Sequence, residues 1–370
     1  MALIPSSGTR PKIVSTFKKP SWPLYSKNTL LGRQRRLREL MTADGFDGFL
    51  LQNPENIGYF TGLFLEDIFG IVTSREIILF THPLIYQEAL FYLSGNLPLR
   101  KSFELWNKQS VISGLKKVGL EPELPAGHFV RLKEAFPAAS FELSLLPLQI
   151  RSVKDAAEIT LIRKAGRITG NAFRQARKML KPGAKEEELA LLIQRCLEKS
   201  KAGSAFPVIA ASGERTFFPH AIPTTNRISN RDWVTVDFGA KYSGYCSDLT
   251  RVFFPGKKDK KATEILRILS AAKKAAEKKA GPGVSAKDVD AAGRNVLKKK
   301  NLDQYFIHSI GHGVGLSVHE EPTLSPRSPD ILKPGMVITL EPAVYIPGWG
   351  GMRVEDTYLV TKTGLENLTA

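Results

Sequence analysis

The chain predicts a mixed fold in two parts, a smaller α/β domain over residues 28–150 and a larger α+β domain over residues 151–370. Three observations carry this. Short apolar runs alternate with helix-length patterns in the first part. In the second, long amphipathic helices are grouped apart from strand-like runs that turn back on themselves. Acidic residues stand inside those apolar runs, where acids are uncommon. At 370 residues the chain is long enough to bury two cores.

Residues 1–27 read as a tail, flexible or draped on the surface. The first 38 residues carry Lys and Arg but no Asp or Glu, as an organellar transit peptide does. Pro5, Pro11, Pro20 and Pro23 would break the amphipathic helix such a peptide needs. The first domain then opens on a helical pattern with Leu30, Leu37, Leu40 and Met41 near one face, closing at Asp44-Gly45. Phe49–Gln52, Phe69–Thr73 and Ile77–Phe80 read as strands, the last two as a pair, and Leu84–Leu93 as a helix.

In the second domain Asp155 is placed to cap a helix running to Leu180, stopped by Pro182-Gly183. A second helix covers Glu186–Lys199. Strands follow at Pro207–Ala211, Trp233–Phe238 and Tyr245–Phe254. Two basic helices intervene, and further strands are expected at Tyr305–His312, Met336–Ile346 and Met352–Thr361.

The net charge is +17, with much of the excess between Lys257 and Lys300. There the lysines alternate with Ala, Ile and Leu at helical spacing, which describes two helices with solvated basic faces. No aromatic platform or zinc-finger spacing accompanies them, so nucleic acid is a weak alternative. Two cysteines, Cys196 and Cys246, are too few for a disulfide framework and fit a reducing cytoplasm. No run approaches the roughly 18 apolar residues that would span a bilayer.

Two segments combine strand pattern with acids. In Val234-Thr235-Val236-Asp237-Phe238, period two puts Thr235 and Asp237 on one face. Folding back through Tyr242-Ser243-Gly244 is expected to set Asp248 almost opposite Asp237. Folding the later segment about Gly348 sets Glu341 opposite Glu355, with Arg353 on the face of Glu355. Opposed like charges destabilise a sheet unless a cation lies between them. His312, in Gly311-His312-Gly313-Val314-Gly315, adds a nitrogen ligand, and His220, His308 and His319 lie in the same half. His82 and His128 are left as ordinary residues. Four carboxylates and one imidazole match two divalent ions, Mn²⁺ first, with Co²⁺, Zn²⁺ or Fe²⁺ able to substitute. A non-catalytic ion site is the alternative, although a structural zinc would more often use thiolates.

At these residues the chain resembles the creatinase/aminopeptidase P/prolidase family, whose catalytic domain has the pita-bread fold. The resemblance lies in Phe218-Pro219-His220, Val236-Asp237-Phe238-Gly239-Ala240, Gly244-Tyr245-Cys246-Ser247-Asp248-Leu249-Thr250-Arg251, Gly311-His312-Gly313-Val314-Gly315-Leu316, Val318-His319-Glu320-Glu321-Pro322, Leu340-Glu341-Pro342 and Gly351-Met352-Arg353-Val354-Glu355-Asp356. It extends weakly to Asn53-Pro54-Glu55-Asn56-Ile57 and Thr61-Gly62, similar to the family's amino-terminal domain.

The resemblance implies a creatinase-like α/β domain before a pita-bread domain of pseudo-twofold symmetry. It implies Asp237, Asp248, His312, Glu341 and Glu355 as metal ligands, with Asp248 and Glu355 bridging and Glu341 also the general base. It implies His220 and His319 as catalytic and substrate-contacting histidines, and His308 and Arg353 around the specificity pocket. Ala221 and Ala343 stand where glycine is frequent in relatives, and no ligand is missing. The implied activity is a cytoplasmic, homodimeric exopeptidase that cuts between an amino-terminal residue and proline in small peptides. Alternatives are a pita-bread protein that binds peptide, protein or nucleic acid through its basic surface, a methionine aminopeptidase, or a creatinase-like hydrolase.

Overall fold

The computed structural model describes residues 25–93, 97–106 and 110–370. Most of the expected tail, residues 1–24, lies outside them. The chain divides into two units, Met1–Ile150 and Arg151–Ala370.

In the first unit a helix spans Lys27–Ala43, capped by the Ser26 side chain, and buries Leu30, Leu37 and Met41. The strands Gly48–Leu51, Ile68–Thr73 and Ile77–Thr81 form the antiparallel centre of a six-stranded sheet. Parallel strands flank it: Leu99–Lys101 on one side, Lys117–Leu120 and then Ser140–Leu143 on the other. These flanking strands are short and do not alternate, so periodicity misses them. A helix at Pro54–Thr61 is also missed by periodicity, yet its punctuation is local: Asn53 caps it, Pro54 opens it, and Gly62 closes it at φ 78°.

The second unit is built twice from one plan, a helix pair, a strand and a hairpin. Ala156–Met179 is capped by Asp155 with Glu158 reciprocating, and Glu186–Lys199 follows. Their buried faces, including Ala165, Ile168, Ala172 and Ile193, pack on Val234, Val236 and Phe238. The second pair, Lys260–Lys279 and Ala286–Lys298, packs Ile265, Leu269, Ala272 and Val289 against Ile338, Leu340, Val344 and Met352. The outward faces carry the exposed lysines.

Each hairpin splits into two ladders. In the first, Val234–Phe238 pairs with Leu249–Phe253, and Ala240–Tyr242 with Tyr245–Cys246. Ser243 and Gly244, at φ 47° and 84°, form the two-residue turn. In the second, Val337–Leu340 pairs with Asp356–Val360, and Ala343–Ile346 with Gly350–Arg353.

Two expectations are corrected here. Thr250, not Asp248, is the register partner of Asp237. The turn is centred one residue later than expected, because both positive-φ positions fall on Ser243-Gly244, and that moves the register by two. Asp248 therefore lies diagonal to Asp237 on the same face. Nor is there a strand from Tyr305. Asp303–Tyr305 is a 3-10 turn and only Gly311–Gly313 is extended. Arg294 takes the carbonyls of Phe306 and His308 at 2.9 Å each, in place of a ladder.

Candidate metal centre

Three of the four acids, Asp248, Glu341 and Glu355, sit where pairing stops, while Asp237 stays in its ladder two residues before a break. The first hairpin's ladders break at Gly239-Ala240 and Ser247-Asp248, the second's at Glu341-Pro342 and Val354-Glu355. Proline offers no N–H to a ladder. The interrupted backbone groups bond elsewhere. Glu355 N–H donates to Thr250 O at 3.1 Å, across to the first hairpin, and Glu341 N–H to Ile310 O at 2.7 Å. Asp248 N–H donates to Thr357 Oγ1 at 3.1 Å, and that hydroxyl donates back to Asp248 O at 2.8 Å. The breaks thus join the two halves and aim the acids into one space.

That space is a cavity of about 730 Å³ whose lining includes Asp237, Asp248, His312, Glu341 and Glu355, together with His220, His308, His319, Tyr345 and Arg353. Every site residue expected from sequence reaches it. Apolar wall comes from Phe206, Val208, Ile209, Ala221 and Ile307.

One ligand atom each of Asp248, His312 and Glu355 lies within 4.8 Å of the others. His312 Nε2 is 3.4 Å from Glu341 Oε1 and 3.8 Å from Asp248 Oδ2. Its Nδ1 faces Gly313 O at 3.0 Å, and donation there leaves Nε2 as the free lone pair turned to the acids. Backbone packs close behind: a Cβ on Gly311 would stand 2.0 Å from Thr339 O.

The acids are under-satisfied. Asp237 Oδ1, Asp248 Oδ1 and Glu355 Oε1 are buried without a hydrogen-bond partner among the described residues. Glu355 Oε2 accepts from Thr250 Oγ1 at 2.7 Å, and Asp237 Oδ2 accepts from the Arg353 guanidinium. Burial, then repulsion from Glu355, Asp237 and Glu341, pushes Asp248 well above the usual carboxyl range. Burial first, then Glu341 and Asp237, does the same to Glu355. Burial also takes Glu341 up to about 8. The imidazoles move oppositely, burial taking His312 down to about 3 and His308 down to about 4. Orphaned carboxylate oxygens beside neutral imidazole nitrogens are the donor set of a hard or borderline divalent cation. These residues fit such a group.

Around them runs a network that sequence reasoning missed. Arg353 bonds Asp237 and the Tyr345 hydroxyl, and donates to Thr250 Oγ1 and Pro219 O, each at 3.2 Å. Burial would lower its pKa, yet Tyr345, Asp237, Glu341 and Glu355 hold the charge on. Tyr345 Oη meets His308 Nε2 at 3.2 Å, and the His319 ring stands edge-on to His312, centroids 4.3 Å apart. Period two from Glu341 reaches Tyr345 and from Asp248 reaches Thr250, so both were within reach of face counting.

Residues 160–362 match the model of metallopeptidase family M24, and residues 33–153 match the creatinase/prolidase N-terminal domain. The chain belongs to metallopeptidase family M24. Its pita-bread unit and amino-terminal unit recur together in relatives. The Xaa-Pro dipeptidase of Pyrococcus horikoshii is 35% identical over 338 residues, 90% of this chain and 96% of that protein. Among solved structures, an Xaa-Pro dipeptidase from Bacillus anthracis superimposes with a TM-score of 0.85 at 32% identity, over 92% of this chain and 97% of the other. An X-Pro aminopeptidase from Thermotoga maritima does so at 0.82 and 31%, over 91% and 97%. No helix among the described residues is long and apolar enough to cross a membrane.

Proposed function

We propose that this M24 chain is a two-metal exopeptidase that hydrolyses the bond between an amino-terminal residue and proline, with small peptides as substrates. The observation that carries the reading is the meeting of Asp237, Asp248, His312, Glu341 and Glu355 in one cavity, three of the acids with an orphaned buried oxygen. Those five would hold the ions. Mn²⁺ suits the carboxylate-rich set, with Co²⁺, Zn²⁺ or Fe²⁺ as substitutes. When bound, such ions polarise the scissile carbonyl and acidify a water.

The chain's own groups do the rest. Glu341 is the base that receives the water's proton. His319 and His220 line the cavity as donors to the oxyanion that develops on the carbonyl and to the leaving proline nitrogen. His308 and Arg353 shape the pocket, Arg353 by pinning Asp237 and Tyr345 together. The tertiary amide nitrogen of an Xaa-Pro bond carries no N–H and the proline ring is hydrocarbon, so an apolar wall such as Phe206, Ile209 and Ile307 suits it. A cytoplasmic setting is supported by the buried thiols of Cys196 and Cys246, which form no disulfide among the described residues. The family resemblance supports a homodimer, to be checked by sedimentation.

The test is to strip the protein with chelator, restore Mn²⁺, Co²⁺ or Zn²⁺ separately, and assay Ala-Pro, Ala-Pro-Ala and Met-Ala. Release of alanine from a proline substrate is expected. If neither proline peptide is cut under any ion, the proposal fails.

A further inference from the structure

We infer that Glu186 is a positioning residue, one that closes the segment 212–226 into a fixed loop and so sets where His220 stands in the cavity. The inference deepens the exopeptidase reading and rests on His220 meeting substrate.

Glu186 opens the helix Glu186–Lys199 and its side chain is wholly buried. Six donors converge on its carboxylate. Oε1 accepts from Ser212 N–H at 2.9 Å, Ser212 Oγ at 2.9 Å and Asn226 Nδ2 at 3.3 Å. Oε2 accepts from Arg215 Nε at 3.1 Å, Thr224 N–H at 3.2 Å and Thr224 Oγ1 at 3.0 Å. One anion therefore holds both ends of the loop. The first N–H groups of the helix add to this, Glu186 N–H reaching Asn226 O at 3.2 Å and Glu187 N–H reaching Thr224 O at 3.0 Å. Arg215 carries the tie across the loop by donating to Ile222 O at 2.7 Å.

His220 is the reason this matters. It lies between those ties, is exposed, and makes no side-chain hydrogen bond among the described residues. Its neighbours Pro219, Ala221, Ile222 and Pro223 line the cavity with it. With no hydrogen bond of its own, the imidazole depends on the backbone that carries it, which Glu186 anchors at both ends of the loop while Arg353 holds Pro219 O and Gly351 N–H holds the Thr216 hydroxyl. Only an anion serves here. A carboxylate is acceptor-only, whereas an amide would point N–H groups at several of the same donors.

The experiment compares the Mn²⁺-loaded wild type with E186Q, H220A and the double variant, using Ala-Pro. For E186Q, kcat/KM is expected to fall about tenfold, mostly through kcat, as the orientation of a transition-state donor is lost. Mn²⁺ affinity by calorimetry is expected to stay at the wild-type value, because Glu186 touches no proposed ligand. The double variant is expected to match H220A, since Glu186 acts through His220. Losses that multiply instead would overturn the inference.

R215M serves if E186Q does not fold, for it cuts the tie to Ile222 and leaves five donors on Glu186. It should lower kcat and speed chymotryptic nicking between Phe217 and Phe218. Unchanged kcat and unchanged nicking would sink the proposal. If H220A turns over like wild type, the assigned role of His220 fails. The nicking rates of R215M and E186Q then decide the loop anchoring by themselves.

Discussion

Removing one charge from the acid cluster, as Asp248→Asn, should make the metal-free protein more stable and the metal-loaded protein less responsive. Ligand atoms of Asp248 and Glu355 lie within 4.8 Å of one another. Two full charges at that spacing repel by about 3–4 kcal/mol at an effective dielectric of about 20. Without cations the folded site relieves this by holding protons, as the rise of Glu341 from 4.5 to about 8 records.

The sign follows from proton counting. Between 4.5 and about 8 the folded form binds more protons than the unfolded chain, so stability falls as pH rises. The contribution is fully present below 4.5 and lost through about 8, with a slope of roughly 1.4 kcal/mol per pH unit for each excess proton. In D248N one acid is gone, the slope shrinks, and the metal-free melting temperature near neutral pH rises, by about 2–4 °C for each kcal/mol relieved. Mn²⁺ at a hundred times its dissociation constant should add about 2.7 kcal/mol to wild type and far less to the variant. Thermal melts at several pH values, with chelator and with Mn²⁺, read all of this. A chelated wild type whose stability is flat from acid to neutral pH, or a D248N protein that Mn²⁺ stabilises as well as wild type, would refute the electrostatic reasoning.

Three further outcomes are expected. Arg353→Lys keeps the charge but loses the fork that joins Asp237, Tyr345, Thr250 and Pro219, so kcat/KM for Ala-Pro should drop by about a hundredfold or more while the fold survives by circular dichroism. Glu320 lies buried between Arg151 and Lys154, 2.7 Å from each, so Glu320→Leu removes the carboxylate that two buried cations share and should cost about 3–5 kcal/mol in urea unfolding. Glu121 accepts from Gln52 N–H, Asn53 N–H and Asn56 Nδ2 at 2.6, 2.7 and 2.6 Å. Glu121→Ala should therefore destabilise the first unit by about 2–4 kcal/mol, and Glu121→Gln, which keeps an acceptor, by clearly less.

Much of the frame was legible because its signals are local. Asp155, Pro182-Gly183 and the Glu186 start mark helix ends through capping and backbone chemistry within four residues. The turn at Gly348 places Glu341 abreast of Glu355, and both flanking ladders keep that register. The first hairpin shows how little margin such counting has. One residue's error at Ser243-Gly244 displaced Asp248 by a full pair along the strand. Tyr305–His312 failed for another reason, since a distant Arg294 took the carbonyls that a strand would have used.

The sequence by itself determined which residues could meet as a donor set: acids in apolar strands, a glycine-flanked histidine, and turns that fold each acid back toward another. Period and turn geometry act over a few residues, and they survive in a linear reading. Tertiary structure alone decided the rest. It broke the ladders at Asp248, Glu341 and Glu355, sent the freed Glu355 and Asp248 backbone groups across to the other half, and bound Arg353 to Asp237 over 116 positions of chain. It also placed Glu186 under the His220 loop. Such contacts depend on how two packed halves meet in space, and no spacing along the chain encodes that directly.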